Sequence, residues 1–163
     1  AETAGLLDYA EDARAVVSYL RKSRRQDVDG RRVAVIGHSE GAWVALQLAA
    51  TEKDIAALVM VAGASETGGA LVLEQQQHLL DLMKVGDEEK KAKAELQAKI
   101  NAAATGQGSW DGVDDALRRQ ADTAWFASYL AFEPAKVSCR AAPPAAGTTK
   151  IWNDPWRLPA NAM

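Results

Sequence analysis

The feature that most constrains this chain is the stretch Val33-Ala34-Val35-Ile36-Gly37-His38-Ser39-Glu40-Gly41-Ala42-Trp43. It sets the pattern G-x-S-x-G between an apolar run and a helix-forming run. Arg32 to Ile36 is rich in β-branched residues and almost continuously apolar, as expected of a parallel strand covered on both faces. Ala42 to Ala50 follows with a mostly small face of Ala42, Ala45, Leu46 and Ala49, suited to a helix lying close to a sheet. Ile55 to Ala62 is a second strand of buried type. Strand, helix and strand in such quick succession make a βαβ unit, and that unit implies a parallel sheet.

The turn from the first strand into the helix must be sharp. Such a turn forces Ser39 into a strained conformation with its hydroxyl exposed. Gly37 and Gly41 are expected to remove side chains that would clash there. Ser39 then stands at a helix N-terminus, where N–H groups and the helix dipole favour a developing negative charge. The N–H of Glu40 is the expected donor to such a charge.

The rest of the chain supplies helices. Residues 6–22 place Leu6, Tyr9, Ala13, Val16, Val17 and Leu20 at helical spacing. Arg21, Lys22, Arg24 and Arg25 end that helix, where basic residues suit the dipole and a phosphate patch is the less favoured reading. Leu71 to Met83 is a helix broken near Gly86. Asp87 to Ala104 is a charged helix with a thin apolar stripe, expected to be a solvated arm supported by the pairs Asp87–Lys91, Glu89–Lys93 and Glu95–Lys99. Asp114 to Leu130 is expected to be one further helix. The last segment holds Pro143, Pro144, Pro155 and Pro159, and Arg140 to Lys150 lacks Val, Ile, Leu and Phe, so no buried strand is expected there.

Composition narrows the partners. A net charge of −3 gives no electrostatic footprint for nucleic acid. No apolar run approaches the roughly 20 residues that span a bilayer. One cysteine, Cys139, excludes an internal disulfide, and with two histidines it leaves little for a metal site, so no cofactor is expected. The tryptophans are expected to be packing residues, with Trp110 and Trp125 as candidates to line an apolar pocket. No targeting signal is visible, and the sequence names no compartment.

Gly37-His38-Ser39-Glu40-Gly41 resembles the nucleophile elbow of the α/β-hydrolase superfamily, in a form used often among its esterases and related acyl hydrolases, and the chain is similar to esterases of the dienelactone-hydrolase-like and peptidase-like branches. The resemblance covers about residues 1–137. It implies a partial α/β-hydrolase fold, a parallel βαβ core around the elbow with a helical cap insertion. Residues 1–66 are then a partial core, 67–131 a cap-like insertion, and 132–163 an irregular tail in place of the late core. Phe132 to Val137 resembles the lead-in to a further strand. The chain is expected to be an internal portion of a hydrolase, with a frameshift near Cys139 or Arg140 as one origin of the tail.

The activity implied is attack of Ser39 on a small ester or acyl substrate, giving an acyl-enzyme. The family's chain order is Ser, then Asp or Glu, then His. The only histidine after Ser39 is His78, which falls within the insertion and is read as a polar residue on a helix. His38 lies inside the elbow and points away from the nucleophile in the family. Glu66 and Asp154 are the candidate acids, Asp154 being read as a solvated loop residue. Turnover is therefore expected to be impaired. The alternative is a non-catalytic fragment or interaction module, self-associating through exposed sheet edges. A phosphate-binding loop fits poorly, because no Gly-Lys-Ser/Thr follows.

Overall fold

In a computed structural model, residues 3–23 and 27–141 are described. Strand β1 (Ala34–His38) runs parallel to β2 (Ala57–Val61), in the register Ala34 to Ala57 through His38 to Val61. Helix α2 (Glu40–Thr51) joins them and α1 (Leu6–Lys22) precedes them. The expected βαβ unit is present, with β1 displaced toward Ser39. The displacement has a cause in hydrogen bonding: Ala56 N–H donates to Val33 O at 2.8 Å and Ser39 N–H donates to Val61 O at 2.9 Å, so the ladder extends up to the serine.

Adjacent residues in a strand face opposite ways, and this separates the two sides of the sheet. On one side Val35 packs against the core of Val17, Val33, Leu48 and Ile55, and Gly37 abuts α2. On the other side Ile36 is 71% exposed and Val59 and Val61 are each 44% exposed. The expectation of two covered faces is thus corrected. Among the described residues the sheet has two strands, and only one face is filled.

Charge ties the helices around this core. Arg21 contacts Asp54 at 2.6 Å and Glu52 at 4.0 Å, and Arg14 pairs with Glu11 and Glu52. Arg21 thus serves an intramolecular ion pair, and Arg24 and Arg25 lie outside the described residues. The segment expected to lead into a further strand forms the short helix α7 (Pro134–Ser138), and the residues from 142 on lie outside the described ones. Proline is favoured in a helix's first turn, where its missing N–H costs nothing, and Pro134 and Val137 are buried. Helix α7 packs on α2, and Lys53 Nζ donates to Arg140 O at 3.0 Å.

The chain divides into two compact units, one built on Leu6–Ser65 with α7 and the other on Glu66–Glu133. The second is all helix: α3 (Gly68–Leu82), α4 (Asp87–Ala104), α5 (Asp115–Ala121) and α6 (Ala124–Leu130). Of the pairs expected along α4, Glu89–Lys93 forms at 3.4 Å, while Lys90 reaches across to Asp81 at 2.6 Å. The hydrogen bond from Lys90, seconded by one from Gln77, holds the Asp81 carboxyl below the usual carboxylate range. The contribution of this contact is therefore present at neutral pH and fades as acid protonates Asp81.

Helix α4 is more than a solvated arm. Its C-terminal half buries Ile100 and Ala103, and Ile100 joins Val113 and Ala121, with Trp110 and Phe126 packed alongside. The single helix expected over 114–130 is in fact two. Thr123 takes an extended conformation and its hydroxyl accepts from Phe126 N–H at 3.1 Å, which caps α6 and ends what precedes it. Gly68 N–H donates to Phe132 O at 3.1 Å and joins the two ends of this unit.

The difference between the filled and open sides of the βαβ unit sets a stability test. Leu48 is 1% exposed, so Leu48→Ala should cost about 2–5 kcal/mol in urea unfolding. Ile36→Ala, at a position 71% exposed, should change stability by about 0.5 kcal/mol or less.

Candidate active site

The site grows from the end of β1. Ser39 leaves the strand with φ 53° and ψ −124°, a region that residues with a side chain rarely enter. Three contacts define the turn. Ser39 N–H makes the last rung of the sheet with Val61 O, Ser39 O accepts from Ala42 N–H at 3.0 Å, and Gly37 lies against the backbone of Gly41 and Ala42. A Cβ on Gly37 would overlap Gly41 O and stand 2.6 Å from Ala42 Cα, where nothing is free to yield.

The two glycines do different jobs. The sequence suggested a steric role for both, but a Cβ on Gly41 meets nothing within 4 Å. Gly41 sits in the first turn of α2 and faces open space, so the clash argument holds for Gly37 alone.

A serine before a helix is ordinarily a cap. Its side chain then accepts a hydrogen bond from the first turn, which needs a conformation with negative φ. Thr67, Asp114 and Thr123 do this for α3, α5 and α6. Ser39 does not: at positive φ its exposed hydroxyl makes no capping bond to α2. Glu40 opens α2 as its only first-turn acid, at the end where the dipole favours negative charge.

The other sequence candidates lie apart from this turn. His38 is exposed on the open face of the sheet, beside Val61 in register. His78 is exposed on α3, three residues before Asp81. Exposed Glu66 belongs with His78 to the helical unit, whereas Ser39 and Glu40 belong to the βαβ unit. Asp154 lies outside the described residues, as do Trp152 and Trp156. Both candidate pocket tryptophans take part in packing. Trp110 has the Arg118 guanidinium 5.7 Å from its ring centre, and Trp125 stacks at a tilt on Tyr129 with centroids 5.4 Å apart. Cys139 is exposed and free. Among the described residues no three His, Cys, Asp or Glu side chains gather as a metal site would require, and no helix is long and apolar enough to cross a membrane.

Sequence reasoning missed a second layer beneath the serine. Trp43, 1% exposed, donates from its indole Nε1 to Ala64 O at 2.9 Å. Ala62 carries a positive φ of 51°. The available signal was the run Ala62-Gly63-Ala64-Ser65, whose small side chains permit close approach.

The sequence profile of the Alpha/beta hydrolase family matches residues 2–161, nearly the whole chain and beyond the point where the motif-based resemblance stopped. No curated protein and no solved structure gives a match.

The unequal glycines give a direct test by thermal unfolding. Gly37→Ala should destabilise by about 1–3 kcal/mol or prevent folding, because backbone atoms occupy the space of its Cβ. Gly41→Ala should be neutral or stabilise by up to about 1 kcal/mol, since alanine is the better helix former and has room.

Proposed function

Because the chain belongs to the alpha/beta hydrolase family, we propose that it is a serine-hydrolase-type protein of the carboxylic ester class, with Ser39 as nucleophile. The observation that carries this reading is the conformation of Ser39. It bears a backbone strain that a cap would not need, and its hydroxyl is not used to cap the helix behind it. Strain of this kind tends to collect at functional sites.

The reaction follows from the position of the turn. Ser39 Oγ attacks the carbonyl carbon of a small ester, and the carbonyl electron pair moves onto oxygen. The N–H of Glu40, at the start of α2, is the proposed donor to that oxyanion, with the helix dipole in support. Solvent water relays the Ser39 hydroxyl proton to the leaving oxygen, so collapse expels the alcohol and leaves an acyl-serine. Water then releases the acid and restores Ser39. The helical region 67–131, which follows β2, is read as a cap-type insertion of this family.

The proton of Ser39 is the weak point. The chain holds two histidines, and His38 and His78 are both exposed. Neither is assigned as the general base, and neither Glu66 nor Asp154 is assigned as the orienting acid. Acylation is then driven by the oxyanion donor and by binding, which in disabled triads leave roughly 10³–10⁴-fold acceleration over water. With 4-nitrophenyl acetate, slow hydrolysis is expected, lost in Ser39→Ala and unchanged in His78→Ala. Rapid turnover abolished by His78→Ala would make His78 the base and overturn this account.

A second reading has its own observation. Ile36, Val59 and Val61, with His38 beside them, present a mostly apolar strip on the open side of a sheet that has two strands among the described residues. Such a strip, with unpaired strand edges beside it, suits a non-catalytic module that pairs with a second copy of itself. Light scattering across a concentration series should then show a dimer that Ile36→Lys returns to monomer. A monomer at every concentration would dismiss this reading.

A further inference from the structure

The β2–α3 connection makes consecutive contacts with the Ser39 turn. Val61 O accepts from Ser39 N–H at 2.9 Å. Gly63 approaches α2 so closely that a Cβ there would stand 2.7 Å from the Cβ of Ala42, which is fully buried. Ala64 O accepts from the Trp43 indole at 2.9 Å. Between the first and second of these contacts sits Ala62, held at φ 51° although it is not glycine. Left alone, an alanine relaxes to negative φ, so a left-handed alanine persists only where its neighbours over-determine it.

We propose that Trp43 is a positioning residue for Ser39: its buried indole pins the segment Ala62–Ala64 against α2, and the pinned segment in turn presents Val61 O to Ser39 N–H and holds the serine in its left-handed conformation. Its consequence for reactivity rests on the hydrolase reading above; its consequence for the backbone does not. Trp43 touches no reacting atom in this scheme. It acts through Ala64, Ala62 and Val61, and the two left-handed residues, Ser39 and Ala62, are strained together at the ends of neighbouring strands.

The scheme predicts a specific coupling. Trp43→Phe keeps an aromatic ring, though a smaller one, and deletes the N–H. Ala62 is then released, the segment moves, and Ser39 loses its fixed geometry. Ala62→Gly removes the cost of positive φ, so the segment stays in place with less help from the indole. The two substitutions should therefore be non-additive.

The experiment uses the full chain and two readouts. The first is the rate of labelling by a fluorophosphonate, located at Ser39 by peptide mass; Ser39→Ala is the blank. Trp43→Phe should slow labelling at least roughly tenfold while unfolding stays cooperative, as small misplacements of a reacting group can cost more than that. Ala62→Gly alone should leave the rate near wild type, and the double variant should recover most of the loss. The second readout is amide exchange at Ser39, which should be roughly tenfold faster in Trp43→Phe and protected again in the double variant. If Trp43→Phe does not fold, Gly63→Ala, which wedges the segment away from Ala42, should give the same two changes. A wild-type chain that does not label at Ser39 defeats the hydrolase reading, and amide exchange still decides the clamp. Unchanged Ser39 exchange in the folded Trp43→Phe variant, or in Gly63→Ala where that variant does not fold, overturns the inference.

Discussion

The βαβ unit depends on how tightly the chain turns back at Ser39. The backbone of α2 begins so close to the end of β1 that only a hydrogen fits at Gly37. From that approach the rest follows: Ala42, Trp43 and Leu48 sink almost completely from solvent, and the helix lies flat enough on the strands to shield one face. The turn costs about 1–3 kcal/mol in backbone strain at Ser39. That cost is offset by the last sheet hydrogen bond and by the burial of the helix behind it.

The same residue class is put to two uses, and φ separates them. Thr67, Asp114 and Thr123 precede helices at negative φ and spend their oxygens on the first-turn N–H groups. Ser39 precedes a helix at positive φ and keeps its hydroxyl outside that arrangement. In the helical unit this local capping decides where one helix stops and the next starts. In the βαβ unit it is suspended at Ser39, where β1 turns into α2.

The two units reach their cores by different routes. The βαβ unit gathers residues flanking its strands, Val33 and Ile55, with Val17 and Leu48 from the helices. The helical unit closes over Ile100, Val113 and Ala121 and is laced at its surface by ion pairs such as Lys90–Asp81. The thin stripe of α4 hides this, because two buried residues near one end suffice when Trp110 and Phe126 cover them from other segments.

What the sequence alone determined is short-ranged. Glycine at position 37, serine at 39, and the order of strand, helix and strand are legible because sterics and periodicity act within a few residues. The span of α4 was legible for the same reason, from its charge pattern. Tertiary structure alone decided which side of the sheet is covered, that Gly41 faces open space, and that Pro134–Ser138 coil into α7 against α2. It also decided that Trp43 finds its partner at Ala64, far along the chain. A continuous apolar strand announces that burial is wanted and not what supplies it. An indole announces a donor and not its acceptor. Those answers depend on which surfaces meet, and that is settled by packing.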